Sequence, residues 1–568
     1  MLRLALLALL ILLAAPARAQ VAADVEALVE AYHEADLFNG SVLVSDGGEV
    51  VWSGGVGLAN AEWAVPNAAD TRFRVGSVTK QFTAALILQL MEAGAIDLHA
   101  PVSTYVPEVP VDARITTHHL LAHTSGLHSY TALPDFGTFQ RDPHTPAELM
   151  ALTAGMPLDF EPGESWSYSN SGYILLGMIV EAVTGETYAD ALQSRLLDPL
   201  GMTASTYDDG VTVYARAASG YSRGTLGLRQ TSYLDTSVPY AAGMLLASVE
   251  DLKTWSDALF AGDVFESAET LALMNTRHAE IPGLDQDGGY GYGVFVGNLE
   301  VGGRMVPIVQ HGGGINGFTT GFWRLVDRDA VIAASSNTQD GSDEMIQGLI
   351  AILYGDEPEV PRPSALGLLR EALAEGGAEA VETAFDAARA GDEVTVTERD
   401  LNTLGYLALA DGDTDTAVAL FRLNVAAYPE AWNPHDSLGE GLLAAGDTTG
   451  AIASYRRAHE ISPAAPSPRA ALEALGVDLD TVTLSDAILN RYVGSYQIQP
   501  GFALTVRLED GQLITQATGQ SAFPMTPISE TEFAPPFDAR LVFEAGDPAP
   551  AVTLFQGGNE IRAARVEE

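Results

Sequence analysis

Residues 77–94 read SVTKQFTAALILQLMEAG and combine a serine, a lysine three positions later and a helix that is apolar on nearly all sides. The chain has 27 arginines but only two lysines, so a need for surface charge does not explain Lys80. A buried lysine can release its proton and act as a base, which an arginine cannot do. The spacing places Ser77 and Lys80 one helical turn apart on one face. The stretch predicts an activated serine nucleophile at the start of a buried helix.

The first nineteen residues have the pattern of an export signal. Arg3 provides the charged start, residues 4–15 are apolar, and Ala17-Arg18-Ala19 forms a small-residue cleavage site before Gln20. No later run reaches the roughly 18–20 apolar residues that a membrane-spanning helix needs. We therefore expect a signal peptide over 1–19, no membrane span, and a periplasmic or secreted protein.

Bulk composition excludes several classes of function. The net charge of −46 argues against nucleic acid and anionic membrane surfaces as partners, because few cations are present to neutralise phosphates. The chain has no cysteine, which rules out disulfides and thiolate chemistry. The sequence predicts no cofactor, no resident metal, and a small-molecule or peptide substrate.

Residues 20–355 are predicted to form one α+β domain. A helix over 23–35 and a hairpin over 40–53 open it, and strand-like runs over 305–310, 317–325 and 331–335 close it. Strands at both ends with helices between them predict an antiparallel sheet that both ends complete, with a helical subdomain inserted.

The remaining residues are predicted to form a linker over 356–365, an α-helical repeat segment over 366–475 and a small antiparallel β-domain over 485–568. The repeat has a period of 34 residues and resembles the tetratricopeptide repeat. Its first copy contains Leu404, Gly405, Gly412, Ala417, Phe421 and Pro429, and its second contains Leu438, Gly439, Gly446, Ala451, Tyr455 and Pro463. Two repeats expose little groove, so we favour a spacer role over a site for a protein or peptide partner.

Two more motifs follow the Ser-x-x-Lys pair along the chain. Tyr168-Ser169-Asn170 precedes a helix predicted over 171–184, and His311-Gly312-Gly313-Gly314 ends an apolar strand. Taken alone, the first is a helix-capping turn with Asn170 as the cap, and the second is a strand end followed by a turn.

In this order, Ser77 to Lys80, Tyr168 to Asn170 and His311 to Gly313 resemble the three motifs of the serine β-lactamase-related family. That family includes class C β-lactamases, D-alanyl-D-alanine carboxypeptidases, D-aminopeptidases and esterases. Residues 73–76 and 119–126 are also similar to family sequences, and the resemblance covers about residues 23–350. It implies a β-lactamase/transpeptidase-like fold.

The resemblance also implies roles for individual residues. Ser77 would form an acyl-enzyme, with Lys80 and Tyr168 sharing the proton transfers; which of the two is the base stays open. The N–H groups of Ser77 and Gly314 would form the oxyanion hole, and Asn170 would bind Lys80 and the substrate amide. On the same strand, His311 and Gly313 are expected to contact substrate.

Many relatives carry a lysine where this chain has His311. A neutral histidine is a weaker partner for a substrate carboxylate. We therefore expect an exported hydrolase of amide or ester bonds, such as those of D-amino-acid peptides. The alternatives are a true β-lactamase and a catalytically weak protein that binds cell-wall peptide or recruits a partner.

Two further patterns suggest other chemistry. His118, His119 and His123 include a pair at helical spacing, but the glutamate of a zinc peptidase is missing. Gly220-Tyr221-Ser222-Arg223-Gly224 matches the nucleophile elbow of α/β-hydrolases, but the residues after it make a poor helix start. Packing near the active-site wall is expected for the histidines, and no catalytic role is expected for Ser222.

Overall fold

The computed structural model describes residues 2–566 apart from 225–226, 282–287, 340, 362–364, 392–393, 395, 464, 478–483, 500–501, 510, 519–521, 536–538 and 557–558. Residues 2–17, 499 and 559 are described by their backbone only. The chain divides into two compact units, one of residues 1–223 and 228–363 and the other of residues 224–227 and 364–568.

The first unit alternates helices and strands. Its helices are α1 (Leu2–Glu34), α2 (Thr79–Glu92), α3 (Thr117–Leu121), α4 (Phe136–Phe139), α5 (Pro146–Leu152), α6 (Asn170–Thr184), α7 (Tyr188–Leu192), α8 (Tyr240–Gly243), α9 (Val249–Ala261), α10 (Ala268–Met274) and α11 (Asp343–Tyr354). Its strands are β1 (Gly40–Asp46), β2 (Glu49–Val56), β3 (Leu58–Asn60), β4 (Val65–Pro66), β5 (Phe73–Arg74), β6 (Thr206–Tyr207), β7 (Tyr221–Gly224), β8 (Gly227–Gln230), β9 (Leu245–Ala247), β10 (Ala279–Glu280), β11 (Gly289–Tyr290), β12 (Phe295–Val301), β13 (Arg304–Ile315), β14 (Phe318–Leu325) and β15 (Ala330–Ser336).

Over the described residues, the main sheet has eight antiparallel strands in the order β10-β11-β12-β13-β14-β15-β1-β2. Gly40 of β1 lies opposite Ser336 of β15, so strands from both ends of the unit meet, as the sequence predicted. Side chains alternate across the sheet. Ile332 and Ala334 enter a core with α1 and α11, whereas Val331 and Ala333 enter a second core with α2, α6 and α9.

Helix α2 lies inside this second core. Eleven of its fourteen residues are buried, which confirms the predicted burial. The helix starts at Thr79, two residues later than expected, and Ser77 lies in a 3₁₀ turn over Gly76–Val78.

Helix α1 runs through both the predicted signal segment and the helix expected from Ala23. Cleavage before Gln20 therefore stays a prediction. Within the described part of the chain, no helix has both the length and the apolarity required to cross a membrane.

The second unit begins with helices and ends with a sheet, which confirms the predicted helical segment and β-rich region. The helices are α12 (Ala365–Ala390), α13 (Glu398–Ala410), α14 (Thr414–Ala427), α15 (Trp432–Ala444), α16 (Thr448–Ile461), α17 (Pro466–Ala474) and α18 (Asp486–Leu489). The strands are β16 (Gly494–Gln499), β17 (Phe502–Glu509), β18 (Gln512–Ala517), β19 (Ala522–Pro524), β20 (Thr526–Pro527), β21 (Glu532–Ala534), β22 (Ala539–Phe543), β23 (Ala551–Gln556) and β24 (Asn559–Arg565). They form one antiparallel sheet in the order β19-β18-β17-β16-β24-β23-β22-β21-β20.

The 34-residue repeat corresponds to equivalent contacts in two helix pairs. Gly405 on α13 packs against the ring of Phe421 on α14, and Gly439 on α15 packs in the same way against Tyr455 on α16. Assignment to the tetratricopeptide class stays a prediction. So does the linker over 356–365, of which residues 362–364 lie outside the described residues.

Candidate active site

Ser77 occupies a tight turn that exposes it at the end of a buried helix. Its neighbours Gly76, Val78, Thr79 and Lys80 are buried, whereas Ser77 is partly exposed. Gly76 has a φ of +54°, in the left-handed region that favours glycine. The Thr79 hydroxyl donates to the Gly76 carbonyl at 2.7 Å and fixes this turn. The fold therefore leaves Ser77 partly exposed on a turn whose neighbouring residues are buried.

Lys80 is completely buried and contacts three oxygen atoms. Its Nζ atom lies 3.1 Å from Ser77 Oγ, 2.8 Å from Asn170 Oδ1 and 2.7 Å from the carbonyl oxygen of Ala242. Burial lowers the pKa of Lys80 well below its usual value, because desolvation disfavours the charged form. The structure thus joins the first two sequence motifs around one amine.

Asn170 is oriented by hydroxyl groups from one loop. Its Nδ2 atom donates to Thr131 Oγ1 at 2.9 Å, and its backbone N–H donates to Ser129 Oγ at 3.1 Å. These bonds leave Oδ1 directed at Lys80. The N-cap of α6 is Ser169, without a side-chain capping bond, so the Asn170 side chain belongs to the Lys80 network and does not cap the helix.

Tyr168 lies beside Lys80 and Ser77. Its ring centroid is 4.9 Å from Lys80 Nζ, and its hydroxyl is buried without a hydrogen-bond partner among the described residues. Burial raises the pKa of Tyr168, and the nearby Ser77 hydroxyl offsets only part of this increase. Tyr168 is therefore protonated at neutral pH.

Strand β13 presents an open edge to Ser77. It pairs with β14 through Ile315, whereas its pairing with β12 stops at Gln310. A Cβ atom on Gly313 would lie 1.9 Å from the Val75 carbonyl oxygen and 3.2 Å from the Ser77 nitrogen. Glycine at this position is required for the close approach of the strand to the turn, which brings the segment from His311 to Gly314 beside the serine.

His311 lies on this strand but is turned into the protein. Its Nε2 atom accepts a hydrogen bond from the Tyr290 hydroxyl at 3.0 Å, and its Nδ1 atom donates to the Gly312 carbonyl. Burial, with a smaller contribution from Lys80, lowers the pKa of His311 to about 3. The sequence predicted contact with substrate, but the side chain is 2% exposed and both ring nitrogens are occupied within the protein.

The histidine cluster of the sequence is divided by the fold. Helix α3 ends at Leu121, so His119 and His123 do not share a helical face. His118 contacts Tyr292, His119 forms a capping box with Thr116, and His123 is buried beside Tyr168. In the parts of the chain that the structure describes, no three histidine, aspartate or glutamate side chains are arranged to hold a metal ion.

Ser222 lies in strand β7, and its hydroxyl lies 3.2 Å from Thr231 Oγ1 and 3.4 Å from Gln339 Oε1, either of which can accept its proton. Residues 225–226 lie outside the described residues, and the next described element is strand β8 from Gly227, not the helix of a nucleophile elbow. The absence of a catalytic role for Ser222 stays a prediction.

Several groups of the candidate site could not be identified from the sequence. The Ala242 carbonyl is a backbone atom and leaves no signature in the sequence. Ser129 and Thr131 carry common hydroxyls, and Tyr290 reaches His311 only because β11 and β13 belong to one sheet. For Ser129 and Thr131, the sequence offered one indication of a place near the site: they closely follow residues 119–126, which are similar to family sequences.

Comparison with known proteins places this geometry in a family. The family model described as Beta-lactamase matches residues 23–357. Penicillin-binding protein 4* of Bacillus subtilis (strain 168) is 28% identical over 368 residues, which cover 60% of this chain and 78% of that protein. Teichoic acid D-alanine hydrolase of Staphylococcus aureus (strain MRSA252) is 29% identical over 227 residues, covering 39% of this chain and 55% of that protein, about half its length.

A solved structure shows the same likeness. The D-stereospecific amidohydrolase from Streptomyces sp. has 31% sequence identity and a TM-score of 0.51, covering 57% of this chain and 97% of that one. Because the family model matches more than half of the residues, the chain belongs to the Beta-lactamase family, whose relatives here are serine hydrolases.

Proposed function

We propose that the protein hydrolyses an amide or ester bond through an acyl-enzyme on Ser77. The observation that carries this proposal is the contact of the buried Lys80 amine with the hydroxyl of the partly exposed Ser77. A hydroxyl becomes a competent nucleophile when an adjacent base accepts its proton. Buried amines with a lowered pKa are suited to that role.

Lys80 is the base in this proposal. A neutral amine has two N–H donors and one lone pair. The oxygens of Ala242 and Asn170 accept the two N–H groups, so the lone pair faces the Ser77 hydroxyl, which donates to it. Tyr168 is the weaker candidate because burial raises its pKa and keeps its proton in place.

The reaction would proceed in two halves. Ser77 Oγ attacks the carbonyl carbon while its proton passes to Lys80 Nζ. The N–H groups of Ser77 and Gly314 stabilise the tetrahedral oxyanion. Lys80 then returns the proton through the Tyr168 hydroxyl, which accepts it and passes its own proton to the leaving amine or alcohol as the scissile bond breaks. A water molecule then attacks the carbonyl carbon of the acyl-enzyme while its proton passes to Lys80 Nζ. Lys80 returns this proton to Ser77 Oγ as the bond between the acyl carbon and Oγ breaks, which releases the carboxylic acid and restores Ser77.

D-aminoacyl esters and amides are the proposed substrate class. Neutral His311 provides no fixed positive charge on β13 for a substrate carboxylate, which disfavours peptides recognised through a free C-terminus and β-lactams. The names of two relatives support the same class, one a D-alanine hydrolase and the other a D-stereospecific amidohydrolase.

A fluorophosphonate probe followed by peptide mass spectrometry tests the nucleophile. The adduct is expected on Ser77, and Ser77→Ala should abolish both labelling and turnover, whereas the matched control Ser222→Ala should retain both. An adduct on Ser222 would overturn the proposal.

A substrate panel tests the class. It compares D- and L-alanyl p-nitroanilide, a short-chain ester, a D-alanyl-D-alanine peptide and a cephalosporin. We expect the D-alanyl anilide to be cleaved faster than its L-isomer and the cephalosporin. Faster cephalosporin turnover would instead identify a β-lactamase, and binding of peptide without any turnover would identify a binding protein.

Export is the second part of the proposal, and it rests on the pattern of residues 1–19. Expression in a Gram-negative host followed by cell fractionation and N-terminal sequencing tests it. We expect mature protein outside the cytoplasm that begins at Gln20; full-length protein retained in the cytoplasm would contradict it.

A further inference from the structure

His123 contacts the backbone on both sides of Tyr168. Its carbonyl oxygen accepts the Ser167 N–H at 3.0 Å, and its Nδ1 atom accepts the Ser169 N–H at 3.1 Å. The imidazole ring lies 4.3 Å from the Tyr168 ring, centroid to centroid. We propose that His123 is a positioning residue that holds Tyr168 against Ser77 and Lys80, an inference that rests on the proposed function.

The Tyr168 hydroxyl depends on this support because it forms no well-aligned hydrogen bond among the described residues, although the Ser77 hydroxyl lies nearby. Its location is therefore set by the packing of its ring and by the backbone at residues 167 and 169. A displacement of about 1 Å in a catalytic group can reduce turnover about 10²-fold. Loss of the His123 contacts should consequently reduce turnover more than it weakens substrate binding.

An unusual backbone conformation makes both contacts available to one residue. His123 has a φ of +57°, which directs its carbonyl and its ring toward the same segment. The residues after His123 bind the same segment through their backbone. The Thr124 carbonyl accepts the Gly163 N–H, and the Gly126 carbonyl accepts the Asp159 N–H. Residues 123–126 thus hold the segment from 159 to 169 along its length.

The imidazole must be neutral for this role. Since Nδ1 accepts a hydrogen bond, the ring proton is on Nε2, which is buried and has no partner among the described residues. Tyr173 and Tyr290 enclose the ring. Burial, with smaller effects from Lys80 and His311, lowers the pKa of His123 and favours this neutral form.

Three substitutions separate the acceptor from other properties of the residue. His123→Asn keeps an acceptor near the position of Nδ1 and tolerates positive φ. His123→Gly tolerates positive φ without an acceptor. His123→Leu retains side-chain volume without an acceptor but is strained at positive φ, and the Gly variant controls for that strain. We expect kcat within about threefold of wild type for the Asn variant. For Gly and Leu we expect a roughly 10- to 100-fold decrease in kcat with KM changed less than threefold.

A double-mutant cycle with Tyr168→Phe shows whether His123 acts through the Tyr168 hydroxyl. The rate constant for fluorophosphonate labelling of Ser77 is measured in wild type, both single variants and the His123→Leu/Tyr168→Phe protein. We expect the Leu substitution to slow labelling in the wild-type background and to change it less than twofold in the Phe background. Equal effects in both backgrounds, or a Leu variant as active as the Asn variant, would overturn the inference.

One further test uses the unmodified protein and so does not depend on whether a variant folds. Nitrogen-15 NMR of labelled histidine should show His123 with its proton on Nε2, and a proton on Nδ1 would overturn the inference. The proposed function is judged separately, by labelling and turnover of wild type against Ser77→Ala. Failure of that comparison is therefore distinguishable from failure of the His123 variants to follow the expected order.

Discussion

The Nζ atom of Lys80 lies 3.1 Å from the Oγ atom of Ser77 and is completely buried. An arginine at position 80 would keep a positive charge but could not accept a proton. We expect Lys80→Arg to reduce kcat on a p-nitrophenyl ester by about 10²- to 10⁴-fold, the usual contribution of a general base. Lys253→Arg, which changes the only other lysine, should retain turnover. A Lys80→Arg variant with a tenth of wild-type activity would contradict this role.

Burial of Lys80 should also make stability depend on pH. Its folded pKa lies below the unfolded value of 10.5, so between these two values the unfolded chain binds more protons. The resulting penalty on folding is complete below the folded pKa and disappears as pH rises to 10.5. Lys80→Met removes it. The Tm of Lys80→Met relative to wild type should therefore be higher at neutral pH than at pH 10; a constant difference would contradict burial as the cause.

Gly313 should not tolerate even one added carbon. A Cβ atom there would overlap the Val75 carbonyl oxygen, so Gly313→Ala must separate β13 from the turn that carries Ser77. We expect at least a 100-fold loss of kcat/KM, because this separation displaces the oxyanion donors. Gly312→Ala is the matched control, since its nearest new contact is the Thr320 oxygen at 3.9 Å. Similar activity in the two variants would show that the close approach is unnecessary.

The sequence predicted the parts of the site that depend on local spacing. Ser77 and Lys80 share a face because helical geometry fixes it, and α2 is buried because it is apolar all round. The meeting of β1 and β15 followed from strands at both ends of the unit. The family resemblance then supplied Tyr168, Asn170 and the β13 segment.

The sequence did not predict features of the site that depend on contacts between residues distant in the chain. Ser77 lies in a 3₁₀ turn because Gly76 adopts a left-handed conformation to meet Gly314. The internal pairing of His311 depends on Tyr290 from another strand of the sheet. The end of α3 at Leu121 separated His119 from His123, whose spacing alone suggested a shared face.

His311 should contribute a measurable loss of stability in acid. Its folded pKa of about 3 lies below its unfolded value of 6.5, so the unfolded chain binds one more proton between these limits. The free energy of unfolding should therefore decrease by about 1.4 kcal/mol per pH unit as pH falls from 6.5. His311→Gln retains an acceptor for Tyr290 and removes this slope. Urea unfolding at pH 4.5, 5.5 and 6.5 measures it, and parallel curves for the two proteins would contradict a neutral, buried His311.

Gly439 tests whether the helical segment acts independently of the chemistry at Ser77. An added Cβ atom would lie 2.6 Å from the Tyr455 ring, so Gly439→Ala should force α15 and α16 apart at a cost of about 1–3 kcal/mol. Gly367→Ala in α12 is the control, because nothing lies within 4 Å of its Cβ position and alanine favours a helix. We expect Gly439→Ala to lower the Tm of the helical segment, Gly367→Ala to leave it equal or higher, and both to retain wild-type kcat/KM on a small D-alanyl anilide.

Since a small substrate needs only the groups around Ser77, this result would support a spacer role for residues 366–475. Loss of turnover in Gly439→Ala, with Ser77 still labelled at the wild-type rate, would instead assign the helical segment a part in substrate handling.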